Sequence, residues 1–492
     1  MHMYFDELAV WINVLQNHAD IAEGAGLRIL LSGVTAWWGK ADPLGWRLVL
    51  VLVSSLAIPV VAALGRRLGG RKAGLIAAAL FAGSPMAWRY APQIRPYGIY
   101  LLFTALLYDG FLAAHEQDRL RDWARYGGAL FLCCMTHLVT VLIAVPLGVV
   151  SIAGLVKAQQ SAQGGAGHTG RFLRFLVVSI VAGGLGILWW IVRTGGSTTG
   201  VIAGRYPDGV LLFLQDALLN LGPVAGYPDG LHVAAIPALV MFGLATLGGV
   251  ALRRSHPEAS ALFALCFTFT LVVMFFTLGV KGNWSWSRYI THLLPFYLAL
   301  IAVAVVWLGE RSADKLRGKG PRWLQGRERA IASVVLGMVV LLMFAPAWVY
   351  TSRAGYRASE GAQYPAMSEL VWQNQANLRG VIVLPLVLGS RSVDTRSLAA
   401  FFLHKKDRLS TFTMRGGDLH QVSLGEAVFP FQKMPRWGPP LETMPPNGIY
   451  AIVGRTPLTN CTQLTSAYVS ALTGSRETVN GSGLFCELTF RR

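Results

Sequence analysis

The feature that most constrains this chain is a series of uncharged apolar runs, each about 17 to 22 residues long. A helix of that length crosses the roughly 30 Å hydrocarbon core of a bilayer. The sequence therefore predicts a polytopic α-helical membrane protein with about ten transmembrane helices. The predicted spans lie near residues 44–65, 73–91, 97–115, 122–138, 139–156, 173–193, 232–252, 259–280, 288–308 and 331–350.

Composition agrees with a membrane protein and excludes several other classes. Of the 492 residues, 53% are hydrophobic and only 14% are charged, whereas a soluble domain has about 25% charged residues. A compact soluble core could not bury that much apolar surface. Cytosolic enzymes, small disulfide scaffolds and disordered chains are therefore excluded.

The basic residues indicate the orientation of the spans. One set of alternate loops carries 19 Lys and Arg residues against 7 acidic ones. Because cytoplasmic loops are enriched in Lys and Arg, this set is predicted to lie in the cytoplasm. Most of the net charge of +18 is then a topology signal, and no nucleic-acid partner is expected.

The predicted orientation divides the chain into three parts. Residues 1–43 form a first extracytoplasmic loop with an acidic site, residues 44–350 form the transmembrane helical domain, and residues 351–492 form an extracytoplasmic C-terminal α/β domain. No hydrophobic helix precedes the first loop in this sequence. We expect that a first transmembrane helix is missing; the alternative is that the short N-terminal segment is translocated unaided.

The C-terminal part changes in composition. An apolar strand-like run at Val381–Val387 follows a helical pattern at Pro365–Leu378, which favours an α/β domain. Cys461 and Cys486 lie on the oxidising side of the membrane in this topology, so a disulfide between them is predicted. Two buried thiols are the alternative.

Two clusters at the predicted outer membrane face could carry chemistry. Asp6 and Glu7 are adjacent acids in an apolar stretch, typical of a general base with a helper but also of a solvated helix start.

Arg95 lies between Pro92 and Pro96, which restrict the preceding residues to a rigid turn. An arginine there can bind a lipid phosphate through two hydrogen bonds. The alternative is that it binds no ligand: its aliphatic part is buried and its guanidinium lies at the membrane–water interface.

Two further positions face the same side. His137 follows Thr136 at the tip of a short hairpin, where a structural histidine is the alternative. Lys281, Arg288 and Tyr289 combine cations with interfacial aromatic residues, and an ordinary aromatic belt is the alternative there. Asp109 lies inside a span, about 18 Å deeper than Tyr97 at 1.5 Å per residue, so it is assigned a structural role.

The order of these motifs resembles that of the GT-C fold glycosyltransferases of the protein O-mannosyltransferase and aminoarabinose transferase type. The matching pieces are Phe5-Asp6-Glu7, the stretch Leu44–Gly70 that ends in Gly65–Gly70, Gln93–Tyr97, Thr136-His137, and Arg288-Tyr289 with Leu294-Pro295. The resemblance is good over residues 4–150, thin from 170 to 310, and only architectural in the C-terminal part. In this family the acidic pair follows a first transmembrane helix, and an aromatic residue usually follows Thr-His, where this chain has Leu138.

The resemblance implies an inverting transfer of a sugar from a polyprenyl-phosphate carrier to an acceptor hydroxyl on the extracytoplasmic face. The acceptor would be a glycan, a lipid or a protein, and the protein would lie in the plasma (inner) membrane. Asp6 would be the catalytic base and Glu7 its positioning residue. The donor phosphate and substrate would be bound by Arg95, Tyr97, His137, Lys281, Arg288 and Tyr289. No cofactor and no metal are implied.

Two other functions remain compatible with the sequence. A lipid-linked glycan transporter or flippase would show internal repeats and ionisable groups near the midplane, whereas here only Asp109 lies well inside a span and no repeat is found. A ligase that moves a whole lipid-linked glycan would share the external site and use a longer donor.

Overall fold

The fold is taken from a computed structural model. It describes residues 30–31, 33–34, 36–37, 43–93, 95–160, 165–194, 221, 231–279, 287–316, 328–345, 378–383, 410–415, 418–422, 448–453, 477–482 and 485–490. The described helices from Gly45 onward belong to one unit, and the described strands belong to another.

The helical unit is built from α-helices that overlap the predicted spans. They are α1 (Pro43–Ser55), α2 (Ala57–Gly83), α3 (Pro85–Tyr90), α4 (Tyr97–Gln117), α5 (Leu120–Thr136), α6 (Val141–Gln160), α7 (Gly165–Thr194), α8 (Leu231–Leu252), α9 (Pro257–Gly279), α10 (Leu294–Leu316) and α11 (Glu328–Leu342). Two 3₁₀ helices, η1 (Leu138–Thr140) and η2 (Ser287–Leu293), lie between them.

Helix α2 is a hairpin of two helical halves. Gly69 and Gly70 have non-helical backbone angles, and Gly70 has a φ of +78°, which favours glycine because a side chain would be strained there. A Cβ atom at Gly65 would lie 2.8 Å from the Cβ atom of Ala77. In a straight helix these residues would be about 18 Å apart, so the chain folds back on itself at the basic loop between the first two predicted spans.

The structure corrects the predicted ends of two spans. The span predicted over 73–91 is broken at Ser84, which has an extended conformation because Pro85 disfavours a helical residue before it. The span predicted over 288–308 begins instead as η2, and its α-helix starts only at Leu294. Pro295 follows there, and the first turn of an α-helix is where proline is tolerated.

Helices α4 and α10 form the centre of the unit. Most of the side chains in their apolar parts are buried. Helix α10 packs against α2, α8 and α11, and α4 packs against α5. By contrast, α7 exposes a row of large apolar side chains. An exposed apolar surface of that length is expected where helices face lipid. The exposed residues on this face are Leu173, Leu176, Val177, Ile180, Val181, Leu185 and Leu188.

Five helical stretches in the described part of the chain are long and apolar enough to cross a membrane. They are Gly45–Gly83, which includes the hairpin, Tyr97–Gln117, Val141–Gln160, His168–Trp189 and Ile290–Asp314. Shorter apolar helices cover Ile236–Leu252, Pro257–Val273 and Ile331–Leu342.

The second unit contains a six-stranded mixed sheet. Its strands are β1 (Leu378–Val383), β2 (Ser410–Arg415), β3 (Asp418–Val422), β4 (Gly448–Val453), β5 (Glu477–Ser482) and β6 (Phe485–Phe490), in the order β3-β2-β1-β4-β6-β5. Strand β1 pairs in parallel with β2 and β4, and the outer pairs are antiparallel. The predicted strand at 381–387 is thus present but starts three residues earlier, at Leu378, and the rest of the predicted helix before it lies outside the described residues.

Candidate functional site

The predicted arginine corner is a compact turn between α3 and α4. The amide of Gln93 donates to the carbonyl of Tyr90 at 3.3 Å, and the amide of Arg95 donates to the carbonyl of Gln93 at 2.7 Å. Helix α4 then begins with the amide of Tyr100 bonded to the carbonyl of Pro96. Arg95 is only 9% exposed, so its guanidinium lies within the protein at this corner rather than extending freely into solvent.

A glycine lets this corner approach the start of α4. A Cβ atom at Gly98 would lie 2.6 Å from Oγ of Ser54, 2.8 Å from the carbonyl oxygen of Tyr90 and 3.1 Å from Cα of Ala91. Two of these three atoms belong to the backbone of the corner itself. The absence of a side chain at Gly98 therefore sets the distance between α4 and the turn that carries Arg95.

Aromatic residues connect the corner to His137. The Tyr97 ring lies 5.2 Å from the Tyr90 ring and 5.5 Å from the His137 ring, measured between centroids. Tyr100, one helical turn after Tyr97, is 5.6 Å from the His137 ring and shares a hydrogen bond of 3.2 Å with Oγ1 of Thr140. The structure thus brings Arg95, Tyr97 and His137 to one end of the helical unit. We call this group, with Tyr100 and Thr140, the Arg95 cluster.

Local hydrogen bonds determine what His137 can do chemically. The backbone N–H of Val139 donates to Nδ1 of His137 at 3.1 Å. A ring nitrogen that accepts a hydrogen bond carries no proton, so the proton of the neutral ring is on Nε2. In this arrangement Nε2 is a hydrogen-bond donor and cannot act as a base. The neighbouring Thr136 is 1% exposed and donates its hydroxyl to the carbonyl of Leu132, so its role is local.

The segment η2 lies at the same end. It contacts η1, α4, α9 and α10, and η1 begins directly after His137. The structure describes the backbone of Arg288 and Tyr289 within η2, which places both positions on the Arg95 side of the unit. Farther along η2, Nε2 of His292 forms a hydrogen bond of 3.0 Å with Oγ1 of Thr270 in α9.

Three of the predicted site residues, Asp6, Glu7 and Lys281, lie outside the described residues. Conversely, the predicted site omitted Tyr100, Thr140, Thr270 and His292. The spacing of Tyr97 and Tyr100 carries a signal for the first of these, because residues three apart share a helix face. Thr270 and His292 are 22 positions apart, and nothing in the sequence pairs them.

At the opposite end of α4, Asp109 is the centre of a network of ion pairs. Its carboxylate is 1% exposed and lies 3.0 Å from Nε of Arg67 and 2.7 Å from Nη2 of Arg125. Arg67 also pairs with Glu116 at 2.6 Å, and Glu116 lies 3.5 Å from Nδ1 of His256. The network ties the α2 hairpin to α4 and α5, which agrees with a structural role for Asp109.

The described residues contain no group of three or more His, Cys, Asp or Glu side chains that could hold a metal ion. Cys133, Cys134 and Cys266 are buried free thiols, as packing residues would be. Cys461 lies outside the described residues, so the disulfide between Cys461 and Cys486 stays a prediction.

Comparison with solved structures identifies the fold. No protein-family model and no curated protein matches this chain. The crystal structure of ArnT from Cupriavidus metallidurans in the apo state is similar with a TM-score of 0.61 at 13% identity, over 99% of this chain and 94% of ArnT. The structure of the same protein bound to undecaprenyl phosphate is similar with a TM-score of 0.58 at 14% identity, over 99% and 92% of the two chains. ArnT is a GT-C fold glycosyltransferase. The chain is therefore a multi-pass membrane protein with the GT-C fold that its sequence predicts.

Proposed function

We propose that this protein is an inverting glycosyltransferase that moves a sugar from a polyprenyl-phosphate carrier to an acceptor hydroxyl. The observation that carries the proposal is the similarity to ArnT over 99% of the chain, including ArnT bound to undecaprenyl phosphate. A lipid phosphate needs a cationic partner near the membrane surface, and the buried Arg95 at one end of the helical unit is a candidate for it.

In the proposed reaction the acceptor oxygen attacks the anomeric carbon of the donor while the carboxylate of Asp6 takes the hydroxyl proton. Glu7 orients this base. The bond between the anomeric carbon and the phosphate oxygen breaks, and the electron pair leaves with the polyprenyl phosphate. A single displacement inverts the anomeric centre. The leaving group is an anion, so it needs charge stabilisation more than protonation.

Arg95 supplies that stabilisation, supported by Lys281 and Arg288. The guanidinium has the fork geometry for two parallel hydrogen bonds to a phosphate. His137 contributes as a neutral donor through Nε2, because the Val139 amide already bonds to Nδ1. Tyr97 packs against the His137 ring and limits its rotation, and Tyr289 completes the substrate contacts.

The reaction is proposed to take place on the extracytoplasmic face of the plasma (inner) membrane. The support is the positive charge of the opposite loops, including Arg66, Arg67, Arg71 and Lys72 at the turn of the α2 hairpin. In this proposed topology the chain crosses the membrane ten times. The C-terminal domain, residues 351–492, then lies outside the membrane and contributes to the choice of acceptor.

The test is sugar transfer in proteoliposomes from a mixed set of undecaprenyl-phosphate sugars, with wild type beside Asp6→Asn. Asp314→Asn is the matched control, because it removes an exposed carboxylate at the far end of α10. We expect transfer by wild type and the control and none by Asp6→Asn. Normal turnover in Asp6→Asn would refute the mechanism. Movement of labelled lipid across the bilayer with no transfer from any donor would identify a transporter.

A further inference from the structure

A buried polar pair joins α9 to η2, the segment that contacts η1, and has no role in the proposed reaction. Thr270 in α9 and His292 in η2 are both 0% exposed, and their side chains share a hydrogen bond of 3.0 Å. A buried hydroxyl or imidazole is costly unless it is hydrogen-bonded. The pair therefore stabilises the contact between α9 and η2 only while both partners are present.

The segment that this bond holds has little stability of its own. Segment η2 spans seven residues, Ser287–Leu293, whereas runs of 3₁₀ helix longer than three or four residues are uncommon because their hydrogen bonds have poor geometry. Thr270 lies nine residues before the end of α9 at Gly279, or about 13 Å along the helix. The bond thus connects η2 to the middle of the long helix α9, and not to residues that neighbour η2 in the sequence.

We infer that Thr270 and His292 are positioning residues that hold the backbone of Arg288 and Tyr289 in place for the donor phosphate. Tyr289 is one 3₁₀ turn before His292, and Arg288 is one residue earlier, so both lie within about 8 Å along the axis of η2. A shift of η2 on α9 would carry both positions with it. The inference rests on the proposed function, in which these two residues bind the donor.

The first test does not depend on activity. Thr270→Val keeps the shape of the side chain and removes the hydroxyl, whereas Thr270→Ser keeps the hydroxyl and serves as the matched control. Hydrogen exchange of the full-length protein in nanodiscs is measured for a peptide covering 287–293 and for a peptide in the buried helix α10. We expect exchange at 287–293 to become about tenfold faster in Thr270→Val, the equivalent of one net hydrogen bond. Exchange in α10 and in Thr270→Ser should stay at the wild-type rate.

The second test uses kinetics with the undecaprenyl-phosphate sugar that supports wild-type turnover. We expect Thr270→Val to raise the KM for the donor by about five- to tenfold and to leave the KM for the acceptor unchanged. His292→Gln, whose amide can either donate or accept a hydrogen bond in place of Nε2, should retain most of the affinity for the lipid donor that His292→Leu loses. The double variant Thr270→Val with His292→Leu should be no worse than His292→Leu alone, because both changes remove the same bond.

The outcomes separate the two proposals. Unchanged exchange at 287–293 and unchanged donor KM in a folded Thr270→Val protein would overturn the positioning role alone. An equal rise in the KM values for donor and acceptor would also overturn it, since that result indicates general loosening. If wild type neither transfers sugar nor binds undecaprenyl phosphate, the proposed function fails, and the link between the pair and the donor fails with it.

Discussion

Adding one methyl group at Gly98 should disturb the Arg95 corner more than any surface change near it. The new Cβ atom would approach the carbonyl oxygen of Tyr90 to 2.8 Å and Cα of Ala91 to 3.1 Å. Ordinary van der Waals contacts of a Cβ atom are 3.4 to 4 Å. The Ser54 hydroxyl, 2.6 Å away, can rotate aside, but the two backbone atoms can move only if the whole turn moves.

The magnitude follows from this geometry. Forcing an extra carbon into a packed interior typically costs about 1 to 3 kcal/mol. Gly98 is the second residue of α4, so the gain in helix propensity from alanine, at most about 1 kcal/mol in a helix interior, offsets little of it. A movement of the turn also displaces Arg95, and misplacement by about 1 Å can lower kcat/KM for the lipid donor by up to roughly 100-fold.

The assay compares Gly98→Ala with Gly148→Ala. Gly148 lies inside α6, and a Cβ atom there would meet no heavy atom within 4 Å, so this variant should unfold at or above the wild-type temperature. We expect Gly98→Ala to have a lower thermal unfolding midpoint in detergent and a higher KM for the lipid donor. Equal unfolding midpoints for the two variants, with unchanged donor KM, would refute the packing argument.

Three further predictions concern charged groups. Arg95→Lys should lower donor affinity about tenfold or more, because a lysine lacks the planar fork for two parallel bonds; an unchanged donor KM would contradict a phosphate contact. Asp109→Asn should lower the free energy of unfolding by about 1 to 3 kcal/mol. This is less than the usual loss for a fully buried pair, because Arg125 is 48% exposed and Arg67 keeps its bond to Glu116. Arg125→Gln should lower it by under about 1 kcal/mol, and a larger loss for Arg125→Gln than for Asp109→Asn in thermal unfolding would be inconsistent with this network. Burial alone would raise the pKa of Asp118, but hydrogen bonds from Trp123 and Arg174 lower it below its ordinary value. The carboxylate should therefore add stability above about pH 4 that is lost as the pH falls through the lowered pKa. Asp118→Asn should remove this contribution, so the free energy of unfolding should fall less steeply with falling pH than in wild type.

The two polar ends of the helical unit differ in a way that supports this division of roles. At the Asp109 end, the acidic and basic side chains are paired with one another at 2.6 to 3.0 Å. Paired charges of this kind stabilise the contacts between helices. The Arg95 cluster contains a buried guanidinium, two tyrosine rings and a histidine whose Nδ1 accepts a backbone hydrogen bond. This mixture of cation, ring and donor is the reason that the proposed donor site is placed at this end.

The length and apolarity of the runs determined by themselves that this is a helical membrane protein, because only a helix that satisfies its own backbone groups can cross a bilayer. The GT-C fold was expected from the resemblance of the motif order to a known family, and not from composition. The sequence also predicted that residues 95–97 and 137 lie at the same end, since α4 and α5 are consecutive helices joined by a short loop and must run in opposite directions.

Only the tertiary structure decided which side chains touch. The bond between Thr270 and His292 joins residues on different helices, and helix periodicity contains no information on such a pair. The tautomer of His137 depends on one amide of the turn that follows it, and the distance between Arg95 and α4 depends on the missing side chain of Gly98. Periodicity specifies which face of a helix is apolar, whereas the contacts between helices depend on how the faces pack, because packing is sensitive to differences of a single methyl group.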